Sequence, residues 1–231
     1  MESEYIKCPS CKNTVSISYA FCPYCGYDLR PIIRFKARRE IGIKDIVMNR
    51  LRFILIKPHR VFKEIALSPD LIGPFMIFTL AALLITLRFT LVLKTLTVIL
   101  FLYLLAVSLI EVFILNIFIA LIIHFIVRLL GGTGDFSITF SVYGYSYLPM
   151  LIGLAAIDIQ LASTPTSILL ADNPTTLTNV FAMGATIYAV FLLIIGFFLA
   201  FGISYSHGID IKFSFLASYI AIGLAIAIIL A

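Results

Sequence analysis

The residues best suited to chemistry are four cysteines near the start of the chain: Cys8, Cys11, Cys22 and Cys25. They read C-P-S-C, ten intervening residues, then C-P-Y-C-G. Two C-x-x-C pairs at this separation form two knuckles that close four thiolates around one tetrahedral ion. Pro9, Pro23 and Gly26 suit the tight turns this needs. Thr14 to Tyr19 alternates polar and apolar residues, the pattern of a short half-exposed strand. So small a module buries too little apolar surface to fold alone, and a bound ion supplies the missing stability. The expected cofactor is one structural Zn2+ with four protein ligands and no position left for water. Two disulfides, or iron in a rubredoxin-like site, are the other uses of the same spacing.

Elsewhere, ionisable groups are sparse and no catalytic set stands out. There is no H-E-x-x-H and no G-x-S-x-G, and Gly131-Gly132-Thr133-Gly134-Asp135 lacks the lysine of a phosphate-binding loop. The chain is therefore not expected to be an enzyme. Glu111 is the one acid near the middle of an apolar run, which raises either an ion or proton pathway or a hydrogen-bonded carboxyl between helices, with Ser108 or Asn116 as partners. His124 lies thirteen residues later and near the opposite azimuth, so the two should not form a dyad. Arg88 reads as an interfacial anchor.

Composition sets the frame for these groups. Of 231 residues, 61% are hydrophobic and 13% charged, against about one quarter charged in a soluble domain. The net charge of +5 is unevenly placed: −1 over residues 1–29, +8 over 30–66 and −2 over 67–231. No basic n-region and apolar h-region precede the cysteines, so no cleaved leader is expected.

Three regions follow: a zinc ribbon at 1–29, a basic juxtamembrane linker at 30–70 and a membrane domain at 71–231. Within the linker, Arg30, Arg34, Lys36, Arg38 and Arg39 precede an amphipathic stretch, 43–56, with Lys44, Arg50 and Arg52 off its apolar stripe. A second short helix is predicted from Pro58 to Ala66. Basic helices beside a span favour the anionic headgroups of a bilayer, and nucleic acid is the lesser reading of the same charge.

The fold class is an all-α polytopic membrane bundle with a small β zinc ribbon. A span takes about 20 residues, which predicts five, near 71–93, 97–129, 138–161, 178–203 and 212–230. The second is read as one long tilted helix, and the third, rich in Ser, Thr and Tyr, as a bundle-interior helix kinked at Pro149. Connectors holding Pro165, Asp172, Asn173 and Pro174, then His207, Gly208 and Asp210, separate the last three. Counting basic residues near the spans gives eight on the N-terminal side and two, Arg88 and Lys94, on the other. That orients the N-terminus and its cysteines to the cytoplasm, where thiols stay reduced, and the C-terminus outward.

Three stretches resemble the Yip-type (Ypt-interacting-protein) membrane-domain family. They are Lys57-Pro58-His59-Arg60 onward through Ser68-Pro69-Asp70-Leu71-Ile72-Gly73-Pro74, His124 to Leu130 with Gly131-Gly132-Thr133-Gly134-Asp135-Phe136, and Val142-Tyr143-Gly144-Tyr145-Ser146-Tyr147-Leu148-Pro149. The resemblance covers about residues 57–231 and implies five helices without enzymatic activity. Eukaryotic relatives are associated with small GTPases and vesicle traffic. The zinc ribbon and the lack of a long acidic N-terminal region depart from that pattern. The function expected is membrane organisation, scaffolding or trafficking, with the ribbon docking a protein partner. The alternative is a small transporter or ion pathway using Glu111 and the hydroxyls of the third span. Self-association is left open.

Overall fold

In the computed structural model, residues 5–16, 19–30, 32, 43–93, 97–164 and 174–230 are described. Arg34, Lys36, Arg38 and Arg39 of the basic run, Ile17 and Ser18 of the expected strand, Lys94, Pro165, Asp172 and Asn173 lie outside them. Strand β1 (Tyr5–Lys7) pairs antiparallel with β2 (Thr14–Ser16) in the register Tyr5↔Ser16, Ile6↔Val15, Lys7↔Thr14. The alternation read from sequence sends Val15 inward, where it joins Cys8, Cys22 and Leu29 in a small core.

Helices α1 (Ile43–Phe53) and α2 (Pro58–Leu67) follow. Pro58 occupies the first turn of α2, where a missing N–H costs nothing, and Val61, Phe62, Ile65 and Ala66 are buried along one face. Gly202 makes room for that face: a Cβ there would stand 2.3 Å from Val142 and 3.0 Å from Phe62. Thus α2 packs into the bundle. At its end, Leu67 packs against the ribbon core.

The membrane domain comprises α3 (Ile72–Leu93), α4 (Val98–Leu129), α5 (Phe136–Ser146), α6 (Leu148–Ser163), α7 (Pro174–His207) and α8 (Ile211–Leu230). By length and composition, α3, α4, the α5–α6 pair and α7 can each cross a membrane, and α8 is a further apolar helix of 20 residues. Helix α4 is unbroken over 32 residues, about 48 Å at 1.5 Å per residue, with Thr97 capping its start by accepting the Leu100 N–H. The third span divides at Tyr147, because Pro149 has no N–H to continue the ladder of α5. It is also the most enclosed, with 67% of its apolar window buried against 33% in α3 and 11% in α4. Its small and hydroxylated residues allow this, since Ser146 returns a hydrogen bond to the carbonyl four residues earlier and the Ser141 hydroxyl is shared between the Ser137 carbonyl and that of Asp70.

One carboxylate ties these elements together. Asp70 forms an ion pair with Arg50 of α1, accepts the Gly73 N–H at 2.8 Å as a cap for α3, and accepts the Tyr145 hydroxyl at 3.1 Å from α5. Its backbone carbonyl accepts the Ser141 hydroxyl. Arg50 also donates to the carbonyls of Glu64 and Ser68. The sequence reading set Arg50 off the apolar stripe. Instead it is 2% exposed, because Asp70 and two helix-end carbonyls replace its water. The close approach needs Gly73, whose Cβ would fall 2.1 Å from the Tyr145 hydroxyl.

Asp70→Ala should therefore destabilise the protein by about 3–5 kcal/mol, since it strands a buried guanidinium. Unfolding in mixed detergent micelles measures this. The double variant Arg50→Met, Asp70→Asn should recover a large part of the loss, because no buried charge is left unpaired.

Candidate metal centre and polar sites of the bundle

The two cysteine knuckles are near copies of each other. In the first, the Lys12 N–H donates to the Cys8 carbonyl and the Cys8 N–H to Asn13. In the second, the Gly26 N–H donates to the Cys22 carbonyl and the Cys22 N–H to Tyr27. Each turn ends in a left-handed residue, Lys12 at φ +60° and Gly26 at φ +71°. Gly26 adopts this freely, whereas Lys12 does so against the steric preference of a side-chain-bearing residue. The C-x-x-C-K sequence gave no sign of that strain.

All four Sγ atoms lie within 4.8 Å of one another, and the shortest separations, Cys8–Cys25 and Cys11–Cys22, are 3.6 Å. A tetrahedron with metal–sulfur bonds of about 2.3 Å has edges of about 3.8 Å. A disulfide needs about 2.05 Å. The cysteines are free, and the short pairs run between knuckles rather than within them. The four sulfurs therefore fit a tetrahedral ion and could bind one.

Their proton affinities agree. The Tyr27 amide stabilises the Cys25 thiolate and pulls its pKa down to about 6. At Cys11 the Asn13 amide acts the same way, but desolvation and the neighbouring thiols outweigh it and push the thiol up to about 12. Four negative sulfurs do not coexist at this spacing unaided, and a divalent cation removes the conflict.

A second polar constellation lies where α4, α5 and α7 meet, on the ribbon side of the bundle. Gly134 donates its N–H to His207 Nδ1 at 3.1 Å, so that nitrogen must accept. Neutral His207 then carries its proton on Nε2 and donates to Thr139 Oγ1 at 3.0 Å. The Thr139 hydroxyl also lies 2.8 Å from His124 Nδ1. This network fixes the tautomer of His207 through the Gly134 N–H. It also latches the glycine turn to α7, with the Thr133 N–H on the His207 carbonyl at 3.3 Å. His207, read from sequence as part of a connector, ends α7 instead and is 1% exposed. The following Gly208, at φ +68° with its N–H on the Ser204 carbonyl, was the available signal for a helix end there.

Near the opposite end of the bundle, Arg88 Nε meets Asp158 Oδ1 at 2.9 Å, with side-chain exposures of 24% and 6%. Arg88 was expected to be an interfacial anchor. It forms an ion pair, not with Glu111 but with Asp158, which arrives on α6 from seventy residues away. Glu111 is brought to none of these groups. It is exposed on α4 and makes no hydrogen bond or ion pair among the described residues. Its expected partners are engaged elsewhere: Ser108 is buried, and Asn116 accepts the Tyr143 hydroxyl at 2.6 Å. As expected, Glu111 and His124 form no dyad.

A family model for the Yip1 domain matches residues 52–231, most of the chain and all of the bundle. The chain belongs to the Yip1 domain family. A second model, for Uncharacterised protein family UPF0547, matches residues 7–29, the stretch that holds all four cysteines. No curated protein and no solved structure matches the chain. In this Yip1 domain the three stretches recognised by sequence become contacts. The Ser68–Pro74 stretch meets the tyrosine-rich one at Asp70–Tyr145 and at Gly144, whose Cβ would stand 2.4 Å from Pro74. The His124–Phe136 stretch closes on α7 through His207.

Two outcomes are expected. Cys22→Ser should cut bound metal from one ion per chain to a small fraction, read by elemental analysis, while leaving the helical content of the bundle intact. Thr139→Val, which keeps shape and removes the hydroxyl, should cost about 1–3 kcal/mol in thermal or detergent unfolding by leaving the buried His207 N–H without an acceptor.

Proposed function

We propose that the chain is a non-enzymatic membrane-organising protein of trafficking type, whose ribbon is a protein-docking module shaped by one structural Zn2+. The observation that carries this is the closed tetrahedron of Cys8, Cys11, Cys22 and Cys25, with cross-knuckle sulfurs 3.6 Å apart. Four protein ligands leave no open position on the ion, which suits a folding role and leaves no site for hydrolysis. Zinc is favoured over iron because no redox partner group accompanies the cluster.

The ribbon surface suits docking. Tyr24, Tyr5 and Tyr19 are 67%, 59% and 53% exposed, a large aromatic share for so small a module. Exposed tyrosines supply apolar area and a hydroxyl at little entropic cost, as contact surfaces require. The basic arm beside it favours anionic headgroups, and the excess of lysine and arginine on that side supports a cytoplasmic N-terminus. Membership of the Yip1 domain family supports the trafficking role and the absence of enzymatic activity.

The test uses the full chain reconstituted in vesicles and exposed to cell extract. Zinc-loaded protein should retain a specific protein partner, and chelation or Cys22→Ser should abolish that retention while the spans stay inserted. Equal recruitment by the metal-free protein would overturn the reading.

A further inference from the structure

Helix α4 leaves a broad face uncovered, in which Leu102, Tyr103, Ile110 and Ile117 are also exposed, and one line of residues runs through it. Val107, Glu111, Ile114, Phe118, Leu121 and Phe125 are all exposed and recur at alternating intervals of four and three residues. That 3.5-residue repeat places them along one side of the helix, as in the seam of two packed helices. α4 is also the least enclosed of the spans, with 11% of its apolar window buried.

Glu111 is the one polar member of the seam. It stands thirteen residues after Val98 and eighteen before Leu129, about 20 Å and 27 Å along the helix, in the middle of its apolar run. Nothing else in the described structure meets its carboxyl, and the acyl chains around it offer no donor. An ionisable group left in that position is expensive, so such groups face protein.

We propose that this seam is the contact between two copies of the chain. Both copies insert with the same orientation, so a two-fold axis must run along the membrane normal, and it sets the two α4 helices parallel. Residues at equal depth then meet, and Glu111 faces Glu111 of the second copy. Two protonated carboxyl groups at one axis each donate to the other's carbonyl oxygen, which leaves no charge in the apolar layer and meets the hydrogen-bonding need of both. No foreign helix satisfies this requirement without carrying its own polar residue at the same depth, whereas a second copy always does. A single polar residue in an apolar seam also selects one register.

The experiment uses purified, zinc-loaded full chain in liposomes, with a benzophenone-bearing residue placed at Ile114 or, as control, at Leu193 of α7, which is 60% exposed and also membrane-embedded. Illumination should give an adduct of twice the chain mass from position 114 and not from 193. Glu111→Leu should weaken self-association by about tenfold in a lipid-dilution series. Glu111→Gln, whose amide can pair with its twin, should retain it. Helical content, unchanged in each variant, excludes misfolding as the cause. A monomer at all lipid dilutions, an equal adduct from 193, or self-association indifferent to Glu111→Leu would overturn the proposal.

Discussion

The structure turns on one carboxylate held out of water. Asp70 sits where the chain leaves the surface helices and enters the membrane, with its side chain 11% exposed. An anion in that position is tolerable only if donors replace its hydration, and the fold supplies three: the Arg50 guanidinium, the Gly73 amide and the Tyr145 hydroxyl. Those donors belong to α1, α3 and α5, so satisfying the charge fixes three helices against one another. Helix α2 lies between Arg50 and Asp70 in sequence; Arg50 holds the Glu64 and Ser68 carbonyls at its end, and its apolar face packs against α7. Leu67, at the end of α2, then carries the ribbon.

Other polar groups in the bundle are handled by the same rule with different means. Arg88 and Asp158 neutralise each other across α3 and α6. His124 and His207 share a threonine hydroxyl, with His207 Nδ1 taken up by the Gly134 N–H. The hydroxyls of α5 either turn back on their own helix, as Ser146 does, or meet partners on neighbouring elements, as Tyr143 and Tyr145 do, so a span with many polar side chains can still be the most buried. Glu111 has no hydrogen-bond or ion-pair partner among the described residues, and for that reason it points to something outside the chain.

Much of the architecture was legible in the sequence. Long apolar runs gave the spans, Pro149 the break in the third, and the tandem C-x-x-C pairs the ribbon. The site was legible in its ligands but not in its strain, since Lys12 offers no sign that it must take a left-handed backbone. Amphipathic periodicity also misplaced Arg50. It treats every charge as solvent-facing and has no knowledge of a carboxylate twenty residues on. The partner of Arg88 was not foreseen for the same reason, since it lies seventy residues distant. His207 was missed because a histidine beside Gly and Asp looks like connector chemistry until Gly134 is seen to donate to it.

By itself, then, the sequence determined what is local or additive: the hydrophobic length of each helix, the turn residues and the four thiols at metal-binding spacing. Each depends on neighbours within a few residues, where periodicity and spacing carry the information. Only the tertiary structure decided which charges are paired, which tautomer His207 takes and which face of α4 is left bare. Those outcomes depend on groups from distant segments arriving within hydrogen-bond reach, and in a low-dielectric interior that arrival decides whether a polar residue is a lock or a liability.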